Sequence, residues 1–272
     1  MGGYRHTTIG FLTDYGLADE FVGVCHGVMR RLAPEASVID ISHGIAPHDV
    51  IAGALVLARA VAYLPTGVQL AVVDPGVGSS RLGIVVVAGD GSCLVGPDNG
   101  LLLPAAERLG GAEGCFALEN RDLQEAAVSA TFHGRDVFAP AAAHLARGVE
   151  PSAFGPAVRL DDLVSVAIPG AEVAEGRCAG VVISVDRFGN LETSIEPADL
   201  ATAGIPPGSY VRVDVTGHRI DALYGRTFTD VAPGEAVVLE DSRALVALCR
   251  NQASAAATFT AAAGTAITLE RA

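Results

Sequence analysis

The chain is short of positive charge: 18 lysines and arginines face 31 aspartates and glutamates, the net charge is −13, and no basic run is present. A phosphate backbone would be repelled, so nucleic acid is not an expected partner. A cationic small molecule is mildly favoured instead, although a whole-protein field acts on encounter more than on affinity. Cysteine is also scarce. Cys25, Cys93, Cys115, Cys178 and Cys249 form no CxxC pair and no zinc-like spacing, and they read as reduced core residues of a cytoplasmic protein. No apolar run reaches membrane-spanning length without charge, glycine or proline, and residues 1–6 lack the apolar core of a signal peptide, so no membrane association is expected. No internal repeat is visible.

What is present is a chain of 272 residues, 50% hydrophobic, enough to bury one large core or two modest ones. Its first part alternates strand and helix signals. Thr8 to Thr13, Val38 to Ile41, Gln69 to Val73 and Ile84 to Val87 are short apolar or β-branched runs of the kind buried strands require. Between them, Asp19 to Leu32 places Phe21, Val24, Val28 and Leu32 at helical spacing, and Asp49 to Leu64 follows a capping Asp49. That alternation argues for an α/β layer fold. After Gly148 the helical signal fades, and Pro151, Pro156, Pro169 and Gly170 punctuate a connection. From Ala179 onward, Val181 to Val185, Tyr210 to Val215, Ala236 to Leu239, Ala244 to Leu248 and Ala266 to Leu269 read as strands of a small barrel or sandwich. The expected organisation is an α/β domain over residues 1–160 with a central, mainly parallel sheet, a linker over 161–177, and a smaller all-β domain over 178–272.

The chemistry-bearing residues sit at strand ends and turns. Val72-Val73-Asp74-Pro75-Gly76-Val77-Gly78-Ser79-Ser80-Arg81 runs from an apolar strand into a carboxylate, a glycine turn and an arginine. The loop is long enough to fold back, so Asp74 and Arg81 can pair while Gly76 and Gly78 let the backbone approach a ligand. A structural ion pair at a turn explains these two residues equally well. The loop is neither a Walker phosphate loop nor a GxGxxG fingerprint. Asp14, after an apolar strand and before Gly16, can accept two hydrogen bonds from a vicinal diol, or cap the next helix. His43 and His48 with Asp40 raise a metal reading, but a five-residue spacing does not place both imidazoles on one helical face, and no metal site is expected. Phe188, Gly189 and Asn190 are good turn chemistry in themselves.

Taken together, Phe11 to Gly16, Val72 to Arg81, Gly96 to Gly100, Phe132 to Asp136, Ser184 to Asn190 and Asp241 to Arg243 resemble, in order and spacing, the S-adenosyl-L-methionine hydroxide adenosyltransferase family. Those enzymes are cousins of the fluorinases and chlorinases. The likeness runs from about Thr8 to Glu270. It implies an α/β N-terminal domain, a β-barrel C-terminal domain, and a homotrimer with sites between neighbouring subunits. It implies catalytic roles for Asp74, Arg81 and His133, and a ribose-diol role for Asp14. His48 and Gly134 would line the substrate pocket. In the second domain it implies substrate contacts by Asp186, Phe188, Asn190 and Phe228. Ser242 and Arg243 would bind the amino acid end, and the backbone near Arg250, Asn251 and Gln252 would face adenine. The loop near Phe188 is one residue shorter than in the halogenases. Asp74 stands where they carry tyrosine, Gly134 where they carry a halide-contacting serine or glycine, and His48 where they carry tryptophan.

The activity implied is hydrolysis of S-adenosyl-L-methionine to adenosine and L-methionine, by water or hydroxide attack at ribose C5′. The sulfonium is substrate and no cofactor is expected. Methionine leaves as a neutral thioether, so the difficulty lies with the nucleophile, and His133 and Asp74 are read as holding and deprotonating it while Arg81 orients Asp74. Three alternatives stay open. A chlorinase would give a chloride-dependent product, though an anionic Asp74 beside the nucleophile disfavours a halide. A metal-dependent hydrolase would use His43, His48, Asp74 and Asp98, and a non-catalytic sensor would bind S-adenosyl-L-methionine or adenosine without turnover.

Overall fold

The computed structural model describes residues 6–272; residues 1–5, on which most of the leader reading rests, lie outside the described residues. The chain divides into two compact units, one ending at Val166 and the other running from Ala167 to Ala272. Among the described residues, no helix is long and apolar enough to cross a membrane. All five cysteines are free and buried.

The first unit contains β1 (Thr8–Thr13), α1 (Phe21–Leu32), β2 (Ser37–Ser42), α2 (Val50–Ala60), β3 (Val68–Val72), β4 (Gly83–Ala88), β5 (Cys93–Pro97), α3 (Leu103–Arg108), β6 (Ala112–Ala117) and α4 (Ala139–Ala146). Its sheet runs β2-β1-β3-β5-β4-β6. Pairings are parallel from β2 through β5, and β4 runs antiparallel to both β5 and β6. Five of the six strands therefore share one direction. Alternating residues feed opposite faces: Ile9, Phe11, Leu70, Val72 and Val85 join α1 and α4 in one core. Leu12, Ala71, Val73, Ile84 and Val86 join α2 and α3 in another. Burial of both faces is why these strands read as continuous apolar runs rather than alternating ones. Asp49 caps α2, its Oδ1 accepting from Ala52 N–H at 2.9 Å.

Strand order reverses between β1 and β3, because the chain leaves β1 for β2 and crosses back through α2 to β3. In an open α/β sheet the crevice beyond the carboxyl ends of two such strands is where ligands bind. Asp14 follows β1 there, and Asp74 follows β3 by two residues.

The second unit contains β7 (Glu172–Ala174), β8 (Arg177–Val185), β9 (Leu191–Thr193), α5 (Pro197–Thr202), β10 (Tyr210–Val215), β11 (His218–Tyr224), β12 (Ala236–Glu240), β13 (Val246–Arg250), α6 (Ala255–Phe259) and β14 (Ala266–Arg271). Strands β14-β10-β11-β12-β13-β9-β8 form a ring that the β8–β14 pairing closes, with β7 appended to β8. Closure removes the free edges that a small sheet would otherwise expose. Val182, Leu191, Val211, Val213, Val238, Leu248, Ile267 and Leu269 fill its core.

Candidate active site

The turn after β3 is built around Arg81. Ser79 Oγ donates to the Gly76 carbonyl at 2.7 Å and accepts from Arg81 N–H at 3.2 Å, which bends the chain back on itself. Gly78 has φ +78°, and a Cβ there would stand 2.6 Å from the Ala130 carbonyl oxygen, so both conformation and space require glycine. Asn99 fixes the strand end from below by donating to the Val73 carbonyl at 2.8 Å. The folded-back Arg81 then forks onto Asp74: Nε donates to Oδ1 at 2.9 Å and Nη2 donates to Oδ2. The guanidinium also lies 5.1 Å from the Phe138 ring centroid.

His133 precedes a single π-helical turn, Gly134–Phe138, that leads into α4. Such turns recur at functional sites. Arg81 Nη2 lies 2.9 Å from His133 Nδ1. A guanidinium only donates, so this Nδ1 accepts and the neutral ring carries its proton on Nε2. Burial, and then the Arg81 charge, push the His133 pKa below its ordinary 6.5. Asp74, Arg81 and His133 thus form one hydrogen-bonded chain with arginine at its centre.

The same cleft, about 630 Å³, is lined by Asp14, Tyr15, Phe21, His48, Asp74, Phe132, His133 and Gly134 among others, a size suited to a small ligand. Asp14 Oδ2 accepts from His48 N–H at 2.9 Å, and His48 is held at φ 69°, a strained value for a non-glycine residue. Oδ1 of Asp14 accepts no hydrogen bond from another described residue. Gly16 N–H donates to the His43 carbonyl at 2.8 Å, which ties the Asp14 loop to β2.

The residues of the metal alternative are not gathered. Asp74 is engaged by Arg81, Asp98 accepts from Val164 N–H at 3.0 Å, and His48 belongs to the cleft. His43 turns elsewhere, its Nε2 lying 3.0 Å from Asp40 Oδ1, which His26 Nε2 also meets at 2.8 Å. Its Nδ1 meets Thr13 Oγ1 at 2.8 Å. His26, Asp40 and His43 thus bring one ligand atom each within 4.8 Å of one another, and Thr13 at the end of β1 meets the group through His43.

In the second unit, Phe188, Asn190, Phe228, Arg250, Asn251 and Gln252 line one pocket of about 660 Å³. Phe188 is 78% exposed and Phe228 41%, an aromatic surface with nothing of this unit over it. Asp186 anchors the loop: Oδ1 accepts from Phe188 N–H at 2.8 Å and Asn190 N–H at 2.9 Å, and Oδ2 accepts from the Asn190 amide at 2.8 Å. The Arg250 side chain turns back to the Gly234 carbonyl, and Gln252, which lines the same pocket, has φ 56°. Ser242 and Arg243 lie on the β12–β13 turn and are not among the pocket's lining residues. Arg243 pairs with Glu192, a nearly buried carboxylate that Ser184 also bonds. Sequence reasoning missed Glu192 and Tyr15. A charge within the Leu191–Thr193 strand was the available signal for the first, and adjacency to Asp14 for the second.

Comparison with known proteins gives the family of the chain. Residues 9–155 match the SAM hydroxide adenosyltransferase N-terminal domain and residues 180–268 its C-terminal domain. A Salinispora tropica protein named (R)-S-adenosyl-L-methionine hydrolase is 50% identical over 248 residues, 91% of this chain and 92% of that one. A Thermus thermophilus protein of the same name is 40% identical over 253 residues, 90% of this chain and 92% of that one. An Actinoplanes fluorinase is 30% identical over 291 residues, 97% of each. The crystal structure of an uncharacterized conserved protein from Thermotoga maritima superposes with a TM-score of 0.90 at 36% identity, covering 97% of this chain and all of that one. With both domains matched across nearly the whole length, this chain belongs to the SAM hydroxide adenosyltransferase family.

Proposed function

We propose that this protein hydrolyses S-adenosyl-L-methionine to adenosine and L-methionine, with water attacking ribose C5′ through an Asp74-Arg81-His133 constellation. The observation that carries this reading is the sharing of one cleft by a diol-competent carboxylate, Asp14, with Asp74 and His133, which Arg81 joins by hydrogen bonds to both. The names of the Salinispora and Thermus relatives support the substrate.

In this mechanism Arg81 forks onto Asp74 and fixes the His133 tautomer. His133 Nε2–H donates to a lone pair of the water, and Asp74 takes the proton that the water loses. The sequence reading gave His133 a share in deprotonation; its Nδ1 is occupied by an arginine donor, so here it orients the water and does not act as the base. As the O–C5′ bond forms, the C5′–S bond breaks with its electron pair going to sulfur. Methionine departs as a neutral thioether and needs no acid. Alignment of water opposite sulfur supplies much of the catalysis, as in other reactions limited by a weak nucleophile.

The remaining substrate contacts are assigned to Phe188, Asn190, Phe228, Ser242, Arg243 and the Gln252 backbone, contributed by a neighbouring subunit of a homotrimer. The exposed Phe188 and Phe228 support a surface that a ligand or another subunit covers. Incubation with each sulfur epimer of S-adenosyl-L-methionine, followed by chromatography, tests the activity: adenosine and methionine in equal amounts are expected, and no release from either epimer would refute it.

A further inference from the structure

Tyr15 lines the cleft, and the mechanism above leaves it unused. Its backbone is fixed, since N–H donates at 3.2 Å to the same Thr13 Oγ1 that meets His43 Nδ1. Its ring is fixed as well. Phe21 and Phe132 each present edge contacts at a centroid separation of 5.8 Å, and those two rings stand 5.1 Å apart. Edge-to-face contacts of this kind hold a ring in one orientation.

The phenol ends over Gly134. A Cβ built on Gly134 would stand 2.0 Å from Tyr15 Oη and 3.0 Å from Cζ. Gly134 heads a helical turn and has no positive φ, so its backbone would accept alanine, which helices favour over glycine. The missing side chain is explained by the hydroxyl it would strike. That hydroxyl makes no hydrogen bond to another described residue. Burial, reinforced by Cys25, Asp14 and Asp74 and opposed by Arg81, pushes its ionisation far above the ordinary tyrosine range, so it stays a neutral phenol.

A hydroxyl offers an acceptor and a donor at once. An attacking water has two protons and two lone pairs, and the mechanism above assigns three of these four: one proton to Asp74, one lone pair to His133 Nε2–H, one lone pair to C5′. We propose that Tyr15 is a positioning residue that takes the fourth, its Oη accepting the proton the water keeps, so that the free lone pair is aimed at C5′. That proton stays on oxygen throughout and leaves as the 5′-hydroxyl of adenosine. This inference rests on the hydrolase reading.

Tyr15→Phe keeps the ring and removes only Oη. The expected result is a fall in kcat of about tenfold, with KM within about twofold, since one oriented hydrogen bond is lost. Thermal stability is expected to hold, because Oη has no hydrogen-bond partner among the described residues; a purely structural residue would instead show an altered melting temperature and an unchanged kcat. Gly134→Ala is expected to lower kcat at least as much in the parent, by displacing Oη, and to cost little more when added to Tyr15→Phe, where the 2.0 Å clash is gone. A wild-type enzyme that turns over while Tyr15→Phe keeps full kcat, or additive effects of the two substitutions, would overturn the inference alone. A wild-type enzyme inert toward both sulfur epimers would overturn the hydrolase reading and this inference together.

Discussion

Replacing Arg81 by lysine isolates what the centre of the chain contributes. Arg81 donates twice to Asp74 and once to His133 Nδ1, from a side chain only 12% exposed. A lysine ammonium keeps the charge but not the planar fork, and from one point it can reach Asp74 or His133 but not hold all three bonds. Losing two hydrogen bonds that involve a charged group, at about 1.5–3 kcal/mol each, amounts to about 3–6 kcal/mol. Where that loss falls entirely on the alignment of the water in the transition state, kcat falls by about two to four orders of magnitude. The fold should survive, because lysine still neutralises Asp74; Arg81→Met would instead leave a carboxylate 6% exposed without a partner, at about 3–5 kcal/mol. The assay is steady-state adenosine release for Arg81→Lys, with melting temperatures for both variants. An Arg81→Lys enzyme within about threefold of the parent kcat would refute the view that Arg81 organises the nucleophile site.

Other outcomes follow from the same geometry. His133→Gln, which can still present a donor, should retain more activity than His133→Ala; equal losses would restore a base role for the imidazole. Because the His133 pKa lies below 6.5 in the folded protein, the unfolded chain binds the proton more readily, so this group's effect on stability is fully favourable above pH 6.5 and is lost as pH falls through the folded value. Protonating Nδ1 also breaks the Arg81 bond, so kcat should decline on that acid side and be flat above it; a profile that rises with acid would contradict the tautomer. Asp14→Ala should raise the Kd for adenosine by at least about tenfold, because a diol partner is removed, and an unchanged Kd by calorimetry would take the ribose role from Asp14.

Much of the first unit was legible because β1, β3 and β4 are buried on both faces. β1 spans Thr8–Thr13 as read, and α2 begins at the Asp49 cap. β5, at Cys93–Pro97, was missed because glycine and proline hide its apolar character, and β11, at His218–Tyr224, because its charged residues face out from a barrel. The site was legible to the extent that it hangs on strand ends and glycine turns. Asp14, Asp74 and His133 share the first unit's cleft, and Phe188, Asn190 and Phe228 share the second unit's pocket. What sequence could not give was direction. Arg81 reaching His133 as well as Asp74, and Arg243 pairing with Glu192, depend on which way long side chains turn across 52 and 51 residues of chain. Tyr15 escaped notice because a tyrosine beside an aspartate is unremarkable until its hydroxyl is seen over a side-chain-free Gly134.

The central claim is attack of water oxygen on C5′, and the direct measurement is turnover of S-adenosyl-L-methionine in ¹⁸O-labelled water, with and without chloride, with and without chelator. The expected product is adenosine carrying the label at its 5′-oxygen, formed with methionine at a rate that neither chloride nor chelator changes. A chlorinated nucleoside, unlabelled adenosine, or turnover abolished by chelator would contradict the account.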